Sequence, residues 1–393
     1  MPSLFSFDHY RPICFTTSKV VLAALLLVTG ACDGRNRAAE KIARDSQQLQ
    51  DFDNSLTFND LTLQGFDKQG KRRWQVKSKQ ASYSKDKKTA RIQEPDGEFY
   101  QDGKAIVQVK AQSGEVKQDG QNVFLRGQIF AKDLRNGLVL EGNELEWQPK
   151  NDLMIIRNNA KGVYQETKVS AKGGKYFTRA KRLELQDQVV AESKKPNVQF
   201  RSDHVVWLVE KKQLISDRPL QIDRTLGGKS GSDRATSNLG TVDLNTKVAT
   251  LQKNSQVTLT NPPFQVSSNS LVWNLEAKTI VSDQPVTLVN RKQNVTLTAN
   301  RGQVNTQTNM AYLNGNVRGI GTRNQSQLVS DQLTYNLSTQ HFLAEGSVNY
   351  QQADPPFNLV GPRATGTVQD QRVVVSGGRV MTEFIPDTVL QSK

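Results

Sequence analysis

Between about residue 55 and residue 380 apolar and polar positions alternate in short runs, as in Leu61-Thr-Leu63, Trp74-Gln-Val76 and Val257-Thr-Leu259. A period of two puts every second side chain on one face of a strand, so these runs predict half-buried β-strands. Turn signals punctuate them: Lys68-Gln-Gly70, Asp96-Gly97, Asp102-Gly103, Asp119-Gly120 and Asn136-Gly137. Alternation broken by Asp-Gly and Asn-Gly predicts antiparallel strands joined by hairpins. Helical periodicity is confined to a loose spacing of Ala38, Ala39, Ile42, Ala43 and Leu49 in the polar segment before residue 54. That segment is expected to be a tether.

The alternation repeats. A glycine stands two residues before an apolar or aromatic residue at Gly114/Val116, Gly174/Tyr176, Gly240/Val242, Gly302/Val304 and Gly366/Val368, with an alanine three places earlier at Ala111, Ala171 and Ala299. A large aromatic follows a small or apolar residue by two at Ala81/Tyr83, Leu145/Trp147, Val205/Trp207, Leu271/Trp273 and Leu333/Tyr335. From glycine to the next aromatic the interval is always 33 residues, whereas the return varies between 27 and 33. The constant half predicts strands locked in register by packing, and the variable half predicts turns at a permissive solvent edge. A full period of 60 to 66 residues has room for roughly four strands with their turns.

Residues two apart in a strand share a face, so the five aromatic pairs predict one continuous inward apolar stripe. Only 36% of the residues are hydrophobic. That is lean for a thick globule and suits an elongated, layered fold whose stripe stays partly open. About ten strands per sheet at a spacing of about 4.8 Å predict a length on the order of 50 Å.

The N-terminus places the body. Arg11 and Lys19 precede an apolar run, Val20 to Ala31, broken only by Thr29 and Gly30. Twelve helical residues rise about 18 Å, short of a hydrocarbon core of about 30 Å, which is the pattern of a secretory signal. Thr29-Gly-Ala31 leads into Cys32 and resembles a bacterial lipobox with threonine where leucine is usual. Cleavage there would remove Cys14 and leave Cys32 without a disulfide partner, a thiol that lipidation would occupy. The alternative is an uncleaved signal anchor. Either way the expected location is periplasmic, at the inner membrane. Lys and Arg total 52 against 38 Asp and Glu, and the first 31 residues account for only +1 of the net +14. A basic exported body points to anionic lipid or glycan and leaves cytosolic nucleic acid out of reach.

Leu61, Leu63, Gly65, Gly70, Trp74, Val76, Ala81 and Tyr83 resemble the start of the lipopolysaccharide-transport family LptC. Later units resemble the related OstA-like, LptA-type pattern: Ala299-x-x-Gly302-x-Val304, Tyr312-Leu-x-Gly315-x-Val317, Leu328 to Tyr335, and Ala344-x-Gly346-x-Val348. The resemblance covers about residues 51 to 380. It implies an all-β fold, an elongated twisted β-jellyroll of stacked antiparallel repeats, whose two sheets open into an apolar trough for lipid A acyl chains. It also implies lipid received from an inner-membrane ABC transporter and passed, by end-to-end strand pairing, to a periplasmic bridge protein or outer-membrane acceptor. This chain departs from the pattern in its length and in its lipoprotein-like start. The expected organisation is a signal or anchor over 1–31, a tether over 32–54, an LptC-like jellyroll over 55–225 and an OstA/LptA-like jellyroll over 226–393. Open edges are expected at Leu61 to Val76 and at Val373 to Val380.

On this resemblance the candidate trough residues are Tyr83, Trp147, Val205, Trp207, Leu271, Trp273, Leu333 and Tyr335. The plain reading of the same aromatics is core filling. Lys168, Lys172, Lys175, Arg179, Lys181 and Arg182 form the densest basic run. They are either an anionic-headgroup contact or a charged edge that blocks strand aggregation. Catalysis has little support. His204 and His341 fall in different repeats, and Gly228-Lys229-Ser230 would need a glycine at Asp223 to complete a phosphate loop. No enzyme and no cofactor is expected. The rival readings are a carbohydrate-degrading β-helix, which lacks carboxylates in phase with the repeat, and a structural stalk without lipid transport.

Overall fold

The computed structural model describes residues 56–117, 122–227, 231–322, 325–354, 356–368 and 372–384, and the N-terminal signal, Cys32, the tether and Gly228-Lys229-Ser230 lie outside them. Among the described residues there are 28 β-strands in one hydrogen-bonded sheet and a single 3-10 turn, Pro149–Asn151. No helix there is long and apolar enough to cross a membrane.

Every pairing is antiparallel and, once collinear strands are counted as one rung, joins successive rungs, so the sheet is a ladder. Fourteen strands cross its whole width, from Thr57–Phe66 and Arg72–Tyr83 at one end to His341–Ala353 and Pro356–Thr367 at the other. The remaining fourteen form seven collinear pairs, such as Gln213–Ser216 with Leu220–Thr225, both bonded to Asn197–Leu208. That makes twenty-one rungs. Twenty steps of about 4.8 Å give a ladder of about 95 Å, nearly twice the length expected from the sequence. The expectation divided the strands between two sheets, whereas each rung contributes to both.

It does so by turning a corner. Midway along many rungs the register slips and two successive residues take positive φ: Gly127 and Gln128, Asn158 and Asn159, Asp187 and Gln188, Lys253 and Asn254, Gly315 and Asn316, Gly346 and Ser347. Glycine and asparagine tolerate this left-handed region, which is why they gather there. The slip spans an even number of residues, so Leu125 before the corner and Ile129 after it are both buried. The rung becomes two arms with one shared inner face. Gly315 and Gly346 thus mark corners inside strands. Asp102-Gly103 and Asn136-Gly137 do lie in tight connections between rungs, but Gly97 is within strand Asp96–Gln101, facing Val76 and Val109.

The repeat is four rungs long. Tyr83, Trp147, Trp207, Trp273 and Tyr335 share one column near the free margin of the first arm, as the register path Trp147–Met154–Tyr176–Leu183–Trp207 illustrates. Gly114, Gly174, Gly240 and Gly302 occupy the adjacent column, where a Cβ on Gly302 would lie 2.7 Å from Leu313 and 2.9 Å from Val286. The glycines therefore make room for flanking leucines and valines. Gly366 breaks the pattern. Ala364 fills the glycine column on its rung, and Gly366 stands two residues out, in the aromatic column beside Phe342.

Candidate functional site

The inner faces of the two arms form the candidate site. All eight trough candidates project into it from the first arm, and all but Tyr83 are buried, with Trp147, Trp207 and Trp273 at 0% exposure. Their strand neighbours Val206 and Val272 face outward, Val272 being exposed. The stripe is therefore continuous as expected, but it is closed along the central rungs, where a partly open one was expected.

What closes it is the aromatic column itself. Trp147 stacks on Phe99 of the second arm, with ring centroids 4.9 Å apart and planes 6° from parallel. Trp207 meets Tyr164 at 6.2 Å and Tyr335 meets Phe264 at 5.9 Å, both edge-on. Phe99, Tyr164 and Phe264 all stand near the opposite margin, three or four rungs earlier, so the twist of the ladder brings the two margins together. Trp147, Trp207 and Tyr335 thus meet the opposite margin at the mouth of the trough. Stacked and edge-on pairs of this kind contribute about 0.5–1.5 kcal/mol each beyond their burial.

A polar latch reinforces the mouth in the N-terminal half. Tyr176 of the first arm donates its hydroxyl to Asp133 Oδ2 of the second at 2.7 Å. Arg135 binds both oxygens of Asp133, at 3.0 and 2.6 Å, and donates across the gap to the Thr178 carbonyl at 2.7 Å. Further out, Arg179 pairs with Asp152 beside it at 2.9 Å and with Asp102 on the far margin at 3.0 Å. Burial raises the Asp133 carboxyl, yet the hydrogen bonds from Arg135 and Tyr176 outweigh it and hold the group below the usual carboxylate range. Burial, followed by the Asp133 charge, pushes the Tyr176 phenol up.

Among the described residues, unfilled places lie in the mouth at two points along the ladder. One, a space of about 30 Å³, lies between Leu214, Val242 and Leu275 on the first arm and Val198, Phe200 and Ile222 on the second. The other, about 80 Å³, lies near the C-terminal end between Tyr335, Phe342 and Val373 and the facing Val295, Leu297 and Leu328. The indole nitrogens of Trp147, Trp207 and Trp273 and the Tyr335 hydroxyl are buried without hydrogen-bond partners. Unpaired donors thus recur in the aromatic column every fourth rung. A pattern search weighted toward apolar periodicity could not register them, because indole and phenol count there as hydrophobic.

Residues 21–154, 140–233 and 289–380 match the model of the lipopolysaccharide-assembly, LptC-related family. The chain belongs to that family. No curated protein is similar enough to serve as a relative. LptC-related proteins act in lipopolysaccharide transport, and the three successive matches in this one show the LptC pattern recurring along an unusually long chain.

The basic run is distributed along one rung and the adjoining margin. Lys168 and Lys175 lie on the two arms of one rung, Thr167–Phe177, about 23 Å apart along the strand, with Lys172 at the corner between them. Arg179, Lys181 and Arg182 sit at the margin, paired with Asp102 and Asp152, Glu210, and Glu184 respectively, and the Arg182 guanidinium covers the Phe177 ring at 4.3 Å. Each of these three is thereby committed to a partner. His204 bonds Asp217 at 2.7 Å, and among the described residues no cluster of His, Cys, Asp and Glu could hold a metal.

Proposed function

We propose that this LptC-related chain accepts lipopolysaccharide from an inner-membrane ABC transporter and passes it toward the outer membrane between the two arms of its ladder. The observation that carries this reading is the continuous apolar stripe of the inner face, whose mouth is closed, among the described residues, by side-chain contacts and not by backbone pairing. Side-chain contacts between margins can part and re-form as a lipid moves, whereas a hydrogen-bonded seam would have to unzip. Acyl chains would enter between the arms and displace the aromatics of the mouth, while sugars and phosphates stay in water. Trp207 and Trp273 become movable seals on this reading, with Val205, Leu271 and Leu333 behind them. The division into an LptC-like part over 55–225 and an OstA/LptA-like part over 226–393 is retained as part of the proposal, as is attachment to the inner membrane by a lipidated Cys32 or an uncleaved N-terminal segment. Mass spectrometry of the mature N-terminus separates those two anchors.

Each end of the ladder offers a partner surface. Among the described residues Thr57–Phe66 is the first edge, and it exposes Phe58 and Phe66, with the exposed Leu56 just before it. Trp74 and Val76, expected to belong to that edge, are on the second rung, bonded on both sides. Arg372–Ser376 and Met381–Phe384 form the last edge and expose Val374 and Met381. Open edges recruit strands, so we assign the first to the transporter side and the last to a bridge protein or outer-membrane acceptor.

The test is photo-crosslinking in cells. Crosslinkers at Val205, Trp207, Leu271 and Trp273 are expected to capture lipopolysaccharide, and those at Val206 and Val272 to capture little. Equal capture from both faces, or none from either, overturns the transport route and favours a structural stalk.

A further inference from the structure

The outer face of the first arm changes character along the ladder. One outward column, next to the aromatic column in sequence, can be followed rung by rung through the register. Over the first nine rungs it carries five charges, Arg91, Glu115, Glu146, Lys175 and Glu184. Over the remaining twelve, from Val206 to Val374, it carries none. Between those ends Ile215, Val272, Val281, Tyr312 and Leu343 are apolar, and the other positions are threonine or glutamine. Val272 and Tyr312 are 39% and 41% exposed, so this stretch faces water without a charged residue in it.

The flank of the stretch nearer the corner is graded in charge. Residues two apart in a strand share a face, so Asp217 stands beside Ile215, Asp283 beside Val281, Arg301 beside Gln303 and Arg363 beside Thr365, all four exposed. Both of these acids lie in the first half of the stretch and both arginines in the second. Glu345 is the exception, and it already lies 3.9 Å from Arg363. A surface graded in this way is complementary to itself when reversed. Turned end for end about a two-fold axis between the Val281 and Gln303 rungs, a second copy sets Val272 against Tyr312, Asp283 against Arg301 and Asp217 against Arg363. Each contact then occurs twice, as an isologous interface requires. A copy packed in parallel makes none of these ion pairs. The charged first nine rungs of each copy lie beyond the overlap, where they meet nothing of like sign.

The area is of the right order. Three columns about 6.7 Å apart and twelve rungs about 4.8 Å apart outline roughly 700 Å² per copy, close to the ~800 Å² per partner of a standard specific interface. The twist of the ladder makes the ends of the two stretches diverge, so the contact is firmest at its centre and the pair separates readily.

We propose that this outer face of the first arm, from Val206 to Val374, is the contact between two copies of the chain packed antiparallel and face to face. The apolar column supplies the burial, and the acid-to-arginine flank sets register and orientation. The first edge, Thr57–Phe66, stays clear of the overlap in both copies. The inference rests on this face alone and is independent of the transport reading.

The experiment uses the full-length protein solubilised in detergent. Sedimentation equilibrium is expected to show a monomer–dimer equilibrium that shifts toward monomer as salt is added. Asp283→Arg and Arg301→Asp each bring like charges face to face and are each expected to weaken the dimer about tenfold or more. Combining the two reversals restores opposite charges across the axis and is expected to restore the dimer. Val272→Asp is expected to weaken it to a similar extent, whereas Val329→Asp, on the outer face of the second arm, is expected to leave it unchanged. All four positions are exposed, and unaltered melting temperatures show that the variants fold. Orientation is read by oxidising a mixture of the Val272→Cys and Tyr312→Cys proteins, which is expected to give a disulfide joining one of each, identified by peptide mass spectrometry. A monomer at every concentration overturns the proposal, as does a double reversal that stays as weak as the single ones. A Val272→Cys protein that links chiefly to itself, or equal losses from Val272→Asp and Val329→Asp, overturns it as well.

Discussion

Tyr176 and Asp133 stand on opposite arms of the ladder, 43 residues apart, and are joined by a 2.7 Å hydrogen bond between hydroxyl and carboxylate. This contact ties the margins where the mouth is most polar. Tyr176→Phe keeps the ring and removes the bond, so it is expected to cost about 1.5–3 kcal/mol in urea unfolding, the range for a hydrogen bond to a charged group. Asp133→Asn leaves Arg135 without its counter-charge and is expected to cost more, about 3 kcal/mol. Equal and negligible losses in the two variants would show that the latch does not hold the arms.

Two buried carboxyls respond to pH with opposite signs. Asp133 is held below its ordinary value in the folded state. Its contribution is present above the unfolded value of 3.8 and is lost as the pH falls below that toward the folded value, so wild type weakens through this acid window and Asp133→Asn does not share that term. Asp233 is raised by burial, against the Thr260 N–H and the Arg224 charge, which lower it. Its stabilising form is the protonated one, present below 3.8 and lost as the pH rises through the folded value. Asp233→Asn is therefore expected to stabilise the protein at pH 7, by about 0.5–2 kcal/mol as for other relieved burial conflicts, and to be neutral near pH 3. Thermal melts at both pH values check the pair.

Much of this architecture was legible in the chain. The period of two and the recurrence of Trp147, Trp207 and Trp273 at four-rung spacing follow from packing that each repeat must satisfy locally. The corners were not legible, because Gly315-Asn316 inside a strand and Asn136-Gly137 between strands obey the same backbone rule. Nor was the closure of the mouth. Trp147 meets Phe99 only because the twist offsets the arms by three rungs, a relation between distant repeats that no local spacing encodes. The phase error at Gly366 has a similar origin: its spacing from Val368 copies the motif, while its register, set by Phe342, does not.

Gly302 carries a sharp packing test. An added Cβ meets Leu313 at 2.7 Å and Val286 at 2.9 Å, both inside normal contact, and both neighbours are buried. Gly302→Ala is expected to destabilise by about 1–3 kcal/mol through overpacking. Gly103 has no atom within 4 Å of its Cβ position, so any effect of Gly103→Ala comes from its φ of +79° alone. A loss at Gly302 no larger than at Gly103 would mean that the glycine column is not packed as described.

The last prediction concerns direction along the ladder. The final rung, Arg372–Ser376 with Met381–Phe384, is paired on one side only among the described residues, and Val374 on its outer face is 61% exposed. A strand in that state has main-chain groups ready for a partner and an apolar surface to cover. Proline at Val374 removes a backbone donor and restrains the strand, while the first edge, Thr57–Phe66, lies some twenty rungs away and shares no contact with it. Val374→Pro is therefore expected to weaken association with the acceptor about fivefold or more, the equivalent of one lost hydrogen bond of about 1 kcal/mol, and to leave association with the inner-membrane transporter unchanged. Pull-down from solubilised membranes with each partner separately tagged reads the two contacts independently. A parallel substitution at the other end, Leu63→Pro, is expected to give the reverse pattern, because Leu63 lies within the first edge strand opposite Val76. Loss of both contacts from either single substitution would mean that the two ends are not separate docking edges, and the assignment of one end to each membrane would fall with it.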